Sequence, residues 1–118
     1  MSTLDIQVDS GDVTVMRLTG DLDGGTYKGF QDKAAELVNT GTQKRLVDLA
    51  SVGYMGSAGF RALHAISNML DDDAESEKST RLKLLHPSDD VRKIIKTLGF
   101  DIYFDIFDNS ESAVASFD

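Results

Sequence analysis

Apolar and polar residues alternate at the start of the chain, in Leu4-Asp5-Ile6-Gln7-Val8 and again in Val13-Thr14-Val15-Met16-Arg17-Leu18-Thr19. A period of two marks half-buried strands, and the turn cluster Ser10-Gly11-Asp12 between them makes the pair a β-hairpin. Gly20 to Gly25 is expected to be a loop holding Asp21 and Asp23. From Thr26 the period lengthens. Tyr27, Phe30, Ala34 and Leu37/Val38 fall on one helical face, and Asn39-Thr40-Gly41 should end that helix.

Lys44 to Leu49 is a compact strand running into Ala50-Ser51-Val52-Gly53. The helix after it should turn Gly59, Ala62, Leu63, Ile66, Met69 and Leu70 inward, and Phe60, His64 and Ser67 outward. Asp71-Asp72-Asp73 would place three carboxylates at the negative end of that helix's dipole, so Asp71–Thr80 reads as a solvated loop. Arg81 to Leu85 is another strand. Pro87-Ser88-Asp89-Asp90 starts a helix with a serine cap and two acids at its positive end. Val91, Ile94, Ile95 and Leu98 form its apolar face, and Gly99 stops it. Ile102–Phe107 is expected to be a final strand, and Ser110 opens a short helix carrying Ala113, Val114 and Phe117.

The order β-β-α-β-α-β-α-β-α implies an α/β fold: a mixed sheet of about five strands with four helices, joined by right-handed crossovers. The 118 residues suit one domain, 1–118, with no internal repeat. At 41% apolar and 27% charged residues the chain has globular composition. Without cysteine it offers no disulfide, no thiolate metal site and no thiol nucleophile. Twenty acidic against twelve basic residues, a net charge of −8, argue against a nucleic-acid partner, which needs clustered Lys and Arg. The same charge argues against an anionic membrane surface. The N-terminus lacks the basic and apolar regions of a secretory signal. No apolar run approaches the ~20 residues of a spanning helix. A soluble cytoplasmic protein without membrane insertion is the expectation.

The chemistry-bearing stretch is Val52-Gly53-Tyr54-Met55-Gly56-Ser57-Ala58-Gly59-Phe60-Arg61, a small-residue turn from a strand into a helix N-terminus. Ser57 stands where an N-cap would be, a role worth about 1 kcal/mol; unpaired N–H groups there also favour an anion. The glycines are not spaced as G-x-G-x-x-G, and no Gly-Lys-Ser/Thr follows, so neither nucleotide motif is present. A serine nucleophile elbow needs glycine where Met55 stands. His64 and His86 have no partner motif, and neither His-Glu-x-x-His nor a calcium loop occurs. No metal or cofactor is expected, and Asp71–Asp73 reads as a solvated charge run. Asp21 and Asp23 flank Leu22, which would put both carboxylates on one side of an extended segment. They either cap the first helix and satisfy loop amides, or form an acid pair beside Ser57.

Taken in order, these segments resemble STAS domains, in particular the small stand-alone anti-sigma factor antagonists of bacteria. Arg17-Leu18-Thr19-Gly20-Asp21-Leu22-Asp23 is similar to the family's Leu-x-Gly-Glu/Asp-Leu-Asp run. Val47 to Met55 resembles the central strand, and Met55-Gly56-Ser57-Ala58-Gly59-Phe60 falls on the family's Met/Ile-Asp-Ser-Ser/Thr-Gly-Leu segment. Leu84 to Gly99 resembles the closing strand and the helix ending in Leu-Gly-Phe. The resemblance implies a non-enzymatic binding module whose partner is an anti-sigma factor with serine kinase activity, and whose binding releases a sigma factor. It makes Ser57 the phosphorylated residue and Asp23 the loop aspartate near it. Asp21, Gly56, Ala58, Phe60, Arg61 and His64 are then candidate partner contacts. Two positions depart from the pattern: Gly56 replaces the aspartate before the serine, and Ala58 replaces the Ser/Thr after it. These departures favour an alternative, a non-phosphorylated STAS scaffold or regulatory subunit of a signalling or transporter complex. A small serine hydrolase is a third class.

Overall fold

The computed structural model describes residues 3–38, 44–70 and 81–117. The expected end of the first helix at Asn39–Gly41 and the acidic segment Asp71–Thr80 lie outside them. The hairpin forms as β1 (Leu4–Asp9) and β2 (Thr14–Leu22), antiparallel, with Ile6 opposite Leu18. Then come α1 (Tyr27–Val38), β3 (Arg45–Met55), α2 (Ser57–Leu70), β4 (Leu82–Leu85) and α3 (Asp89–Thr97). A 3-10 turn at Phe100–Ile102, β5 (Ile106–Phe107) and α4 (Ser110–Ala115) complete the chain. The sheet runs β1-β2-β3-β4-β5, and every pair after the hairpin is parallel. Parallel neighbours need helical crossovers, which is why the middle of the chain alternates strand and helix.

Strand periodicity sorts the side chains onto two faces. Met16, Leu18, Val47, Leu49, Leu82 and Leu84 share the main core with Phe30 and Ala34 of α1, Leu63 and Ile66 of α2, and Val91 and Ile95 of α3. The opposite face packs Leu46 and Leu85 with Ala113 of α4. There Lys83 donates to the Ser116 carbonyl at 3.0 Å and hydroxyl at 2.9 Å, with its ammonium 4.6 Å from the Phe117 ring centroid. Toward the hairpin that face turns polar: Arg17 pairs with Asp9 and approaches Asp48 at 3.8 Å. On the main-core face Arg45 is fully buried, donating to the Ala34 carbonyl at 3.3 Å and to Met16 Sδ at 3.6 Å. Burial lowers its pKa from the usual guanidinium value.

Ser88 caps α3, accepting from Val91 N–H at 3.3 Å, and Gly99 leaves it at φ 77°, as the sequence predicts. Four expectations need correction. β2 continues through Gly20, Asp21 and Leu22, so the loop begins only at Asp23. β3 reaches Met55, leaving Gly56 alone as the link to α2. Ile102–Phe107 is not one strand: the positive φ of Gly99 starts a 3-10 turn, Phe104 drops into the core, and two residues remain to pair with β4. Leu98 is not a core residue; it is the C-cap of α3 and 49% exposed.

Candidate functional site

The site lies where β2 and β3 end side by side. Leu22 is opposite Met55, and beyond that pair Gly56 N–H donates to the Leu22 carbonyl at 2.9 Å. Asp23 follows Leu22 and Ser57 follows Gly56, so both residues leave one anchored point. Gly59 N–H donates to the Gly56 carbonyl at 3.0 Å, closing the first turn of α2. Gly56 is therefore the residue before the helix, and Ser57 is its first helical residue, not its cap. Ser57 is exposed, Ala58 is half-buried and Gly59 is buried.

Along α2 the exposed residues Ser57, Arg61, His64 and Asn68 recur at helical spacing and form one stripe. Phe60, expected on that stripe, is instead 1% exposed and stacked on Phe100 with ring centroids 4.7 Å apart. Ser67 is also buried, its hydroxyl donating to the His64 carbonyl at 2.7 Å. Phe60 is covered because Phe100 of the 3-10 turn packs on the side of α2 that sequence periodicity assigns to solvent. Met69 moves the other way and is exposed. His64 meets Tyr103 edge-on at 5.7 Å, and it sits two helical turns, about 10 Å of rise, from Ser57.

The two acids play different parts. Asp23 Oδ1 accepts from Gly25 N–H at 2.9 Å, and Asp23 N–H donates to Thr26 Oγ1 at 3.0 Å. Thr26 in turn donates to the Asp21 carbonyl at 2.8 Å. Asp23 is thus bound into the turn that starts α1, the local capping role that aspartate favours. Asp21 reaches across to β3, where its Oδ1 lies 3.6 Å from the position a Cβ on Gly53 would occupy.

Sequence patterning gave no signal for two aromatic neighbours. Tyr54 is 52% exposed at the end of β3, and its hydroxyl would lie 3.3 Å from a Cβ placed on Gly56. Tyr103, from the turn after α3, adds exposed ring surface beside His64. Among the described residues no cluster of His, Cys, Asp or Glu could hold a metal ion, and no helix is long and apolar enough to cross a membrane.

An antiparallel hairpin continued by parallel strands, with a serine-headed helix at the exit of the central strand, defines an α/β domain with a mixed five-stranded sheet. An anti-sigma factor antagonist from Mycobacterium paratuberculosis superposes with a TM-score of 0.82 at 21% identity, covering 97% of this chain and 93% of that one. SpoIIAA in its unphosphorylated form gives 0.72 at 21% identity, with 93% and 92% covered. The Bacillus cell fate determinant SpoIIAA in the phosphorylated form gives 0.66 at 20% identity, with 96% and 97% covered. The STAS domain family model matches residues 4–113, and the chain belongs to that family.

Proposed function

We propose that this chain is an anti-sigma factor antagonist: it binds an anti-sigma factor with serine kinase activity, releases a sigma factor, and is switched off by phosphorylation at Ser57. The observation that carries this reading is the position of Ser57, exposed at the head of α2 on a segment, Val52 to Phe60, that contains no charged residue. Structural neighbours described as anti-sigma factor antagonists, one of them in a phosphorylated form, support the partner class.

The physics of the switch follows from that position. A phosphoserine adds about −1.5 to −2 charge, taking the chain from −8 to about −10. Within this chain the new charge is tolerated, because it sits at the positive end of α2's dipole. Against a partner packed on the neutral segment it must be desolvated, at several kcal/mol unless paired. Each ~1.4 kcal/mol is tenfold in affinity, so a loss of about 100-fold or more is the expected effect. Arg61, one turn along the same stripe, is the nearest cation in sequence to Ser57. Half-buried Asp21 and exposed Arg61, His64 and Tyr54 would frame the contact, and Asp23 would act by holding the adjoining turn. Phe60 supports the helix from within. We place the protein in the cytoplasm, as a regulator and not an enzyme.

The deciding experiment is mass spectrometry after incubation with ATP and a candidate serine kinase of the anti-sigma factor type. A phosphate on Ser57 that abolishes partner binding supports the switch. An unmodified chain that still binds its partner supports the non-phosphorylated scaffold, which Gly56 and Ala58 favour. Ester turnover lost in Ser57→Ala would instead make it a hydrolase.

A further inference from the structure

Among the described residues β1 is the outer strand of the sheet and pairs with β2 alone. Two hydrogen bonds fix which way its backbone groups point. Thr14 N–H donates away from β1, to the Lys44 carbonyl at 2.9 Å; Asp21 N–H donates toward it, to the Thr3 carbonyl at 3.1 Å. The N–H and C=O of one strand residue share a side, and that side alternates along the strand. Val15, Arg17 and Thr19 therefore face β1, opposite Asp9, Gln7 and Asp5. The backbone groups of Leu4, Ile6 and Val8 point outward from the edge.

Those three residues also carry the apolar side chains of β1, half-buried against the main core. Beside them a groove of about 560 Å³ runs between β1 and α1, lined by Leu4, Ile6, Gly29, Phe30 and Lys33. A Cβ on Gly29 would meet nothing within 4 Å, so the groove is open there. The strand has no proline and no lysine, and its register with β2 has no bulge. Of the usual devices that block an edge it carries only charge, at Asp5 and Asp9.

We propose that the occupant of this edge is a second copy of the same chain, paired antiparallel through β1 about a two-fold axis at Ile6, joining the two sheets into one. Only outward-pointing residues can pair with outward-pointing residues, and the charges choose among the possible registers. With the axis at Ile6, that residue faces its own copy, Leu4 faces the partner's Val8, and about six hydrogen bonds form. The strand is self-complementary in this register: apolar pairs line one side, and on the other Asp5 meets the partner's Gln7 and Asp9 meets the partner's Thr3. An axis at Asp5 sets that carboxylate against its copy, and an axis at Gln7 sets Asp5 against the partner's Asp9. Like charges directly opposite are destabilising. Axes at Leu4 or Val8 leave part of the strand without a strand to pair with. The net charge of −8 on each copy opposes association and is screened by salt, so the pairing tightens as ionic strength rises.

The absence of native cysteine makes the register testable. In Ile6→Cys the two Cα atoms come to about 5.5 Å, within the roughly 4.4–6.8 Å a disulfide spans. In Leu4→Cys or Val8→Cys alone they stay about 14 Å apart. Under mild oxidation Ile6→Cys is expected to give a covalent dimer. The other two should bridge only when mixed with each other. An uncross-linked Ile6→Cys, or equal cross-linking by all three single variants, overturns the proposal. Sedimentation equilibrium supplies the second measurement. Val8→Pro removes an outward N–H while sparing the ladder to β2, and should raise the dissociation constant about tenfold or more. A monomer at every concentration and salt, or a Val8→Pro chain that pairs as tightly as the parent, overturns it equally.

Discussion

Gly59 packs directly onto Leu22: a Cβ built on the glycine would lie 2.9 Å from Leu22 Cγ and 3.0 Å from Met55 Cγ. Both neighbours are buried, so neither has room to withdraw. The head of α2 is thus pressed against the ends of β2 and β3 through a residue without a side chain. Gly59→Ala is expected to cost about 1–3 kcal/mol through overpacking, despite alanine's better helix propensity. Thermal unfolding checks this; a melting temperature at or above the parent's would show that the contact can give.

Ser57→Ala and Ser57→Asp separate folding from signalling. The serine is exposed and not the helix cap, so Ser57→Ala should change stability by less than about 0.5 kcal/mol. Ser57→Ala should keep partner affinity, whereas Ser57→Asp should weaken it at least about tenfold. Calorimetric titration with the anti-sigma factor reads both, and equal affinity for the two variants would remove the charge argument.

Asp23 offers a similar separation between geometry and charge. Asp23→Ala loses the acceptor for Gly25 N–H and should cost about 1 kcal/mol. Asp23→Asn keeps an oxygen at that position and should stay within a few tenths of the parent. If Asp23→Asn nevertheless changes partner affinity as much as Asp23→Ala does, the carboxylate charge acts on the partner directly. Denaturant unfolding and a binding isotherm on the same two variants decide it.

Arg45 is 0% exposed, and among the described residues no acceptor reaches its Nε or Nη2. Replacing a poorly compensated buried charge by an apolar side chain of similar length is often neutral or stabilising, by about 1–4 kcal/mol. Arg45→Met should unfold at the same temperature as the parent or higher. The sign of the pH dependence follows from the lowered pKa. Burial disfavours the charged form, so its penalty is fully present below the folded-state pKa and is relieved only as pH rises through it. At neutral pH the guanidinium stays charged, and the gain should be equal at pH 6 and pH 8. A large loss of stability in Arg45→Met would show that the guanidinium's contacts outweigh its desolvation.

The elements legible from sequence are those whose signals are local. The hairpin declares itself by alternation, and α3 by Ser88, two acids and Gly99, each acting within a few residues of the boundary it sets. What failed was set by distant packing. Phe60 has the spacing of a solvent-facing residue on α2, yet Phe100, forty positions away in sequence, covers it. Ile102–Phe107 has the composition of a strand, but only Ile106 and Phe107 find partners on β4. At the site, residue identities were readable one by one, whereas the bond from Gly56 to Leu22 that brings Asp23 and Ser57 to one point was not. It depends on the parallel register of β2 and β3, which no local pattern encodes.

The brevity of β5 has a kinetic consequence. It holds to the sheet through the pairs Leu84–Ile106 and Leu85–Phe107, with Leu84 N–H donating to the Asp105 carbonyl at 2.9 Å and His86 N–H to the Phe107 carbonyl at 2.8 Å. Small cooperative units of this kind open well before the whole domain unfolds. The amides of Leu84 and His86 should therefore exchange with deuterium sooner than those in the middle of β3. Each such opening briefly frees β5 and α4 while the serine-headed helix stays seated, so the C-terminal margin breathes on its own clock.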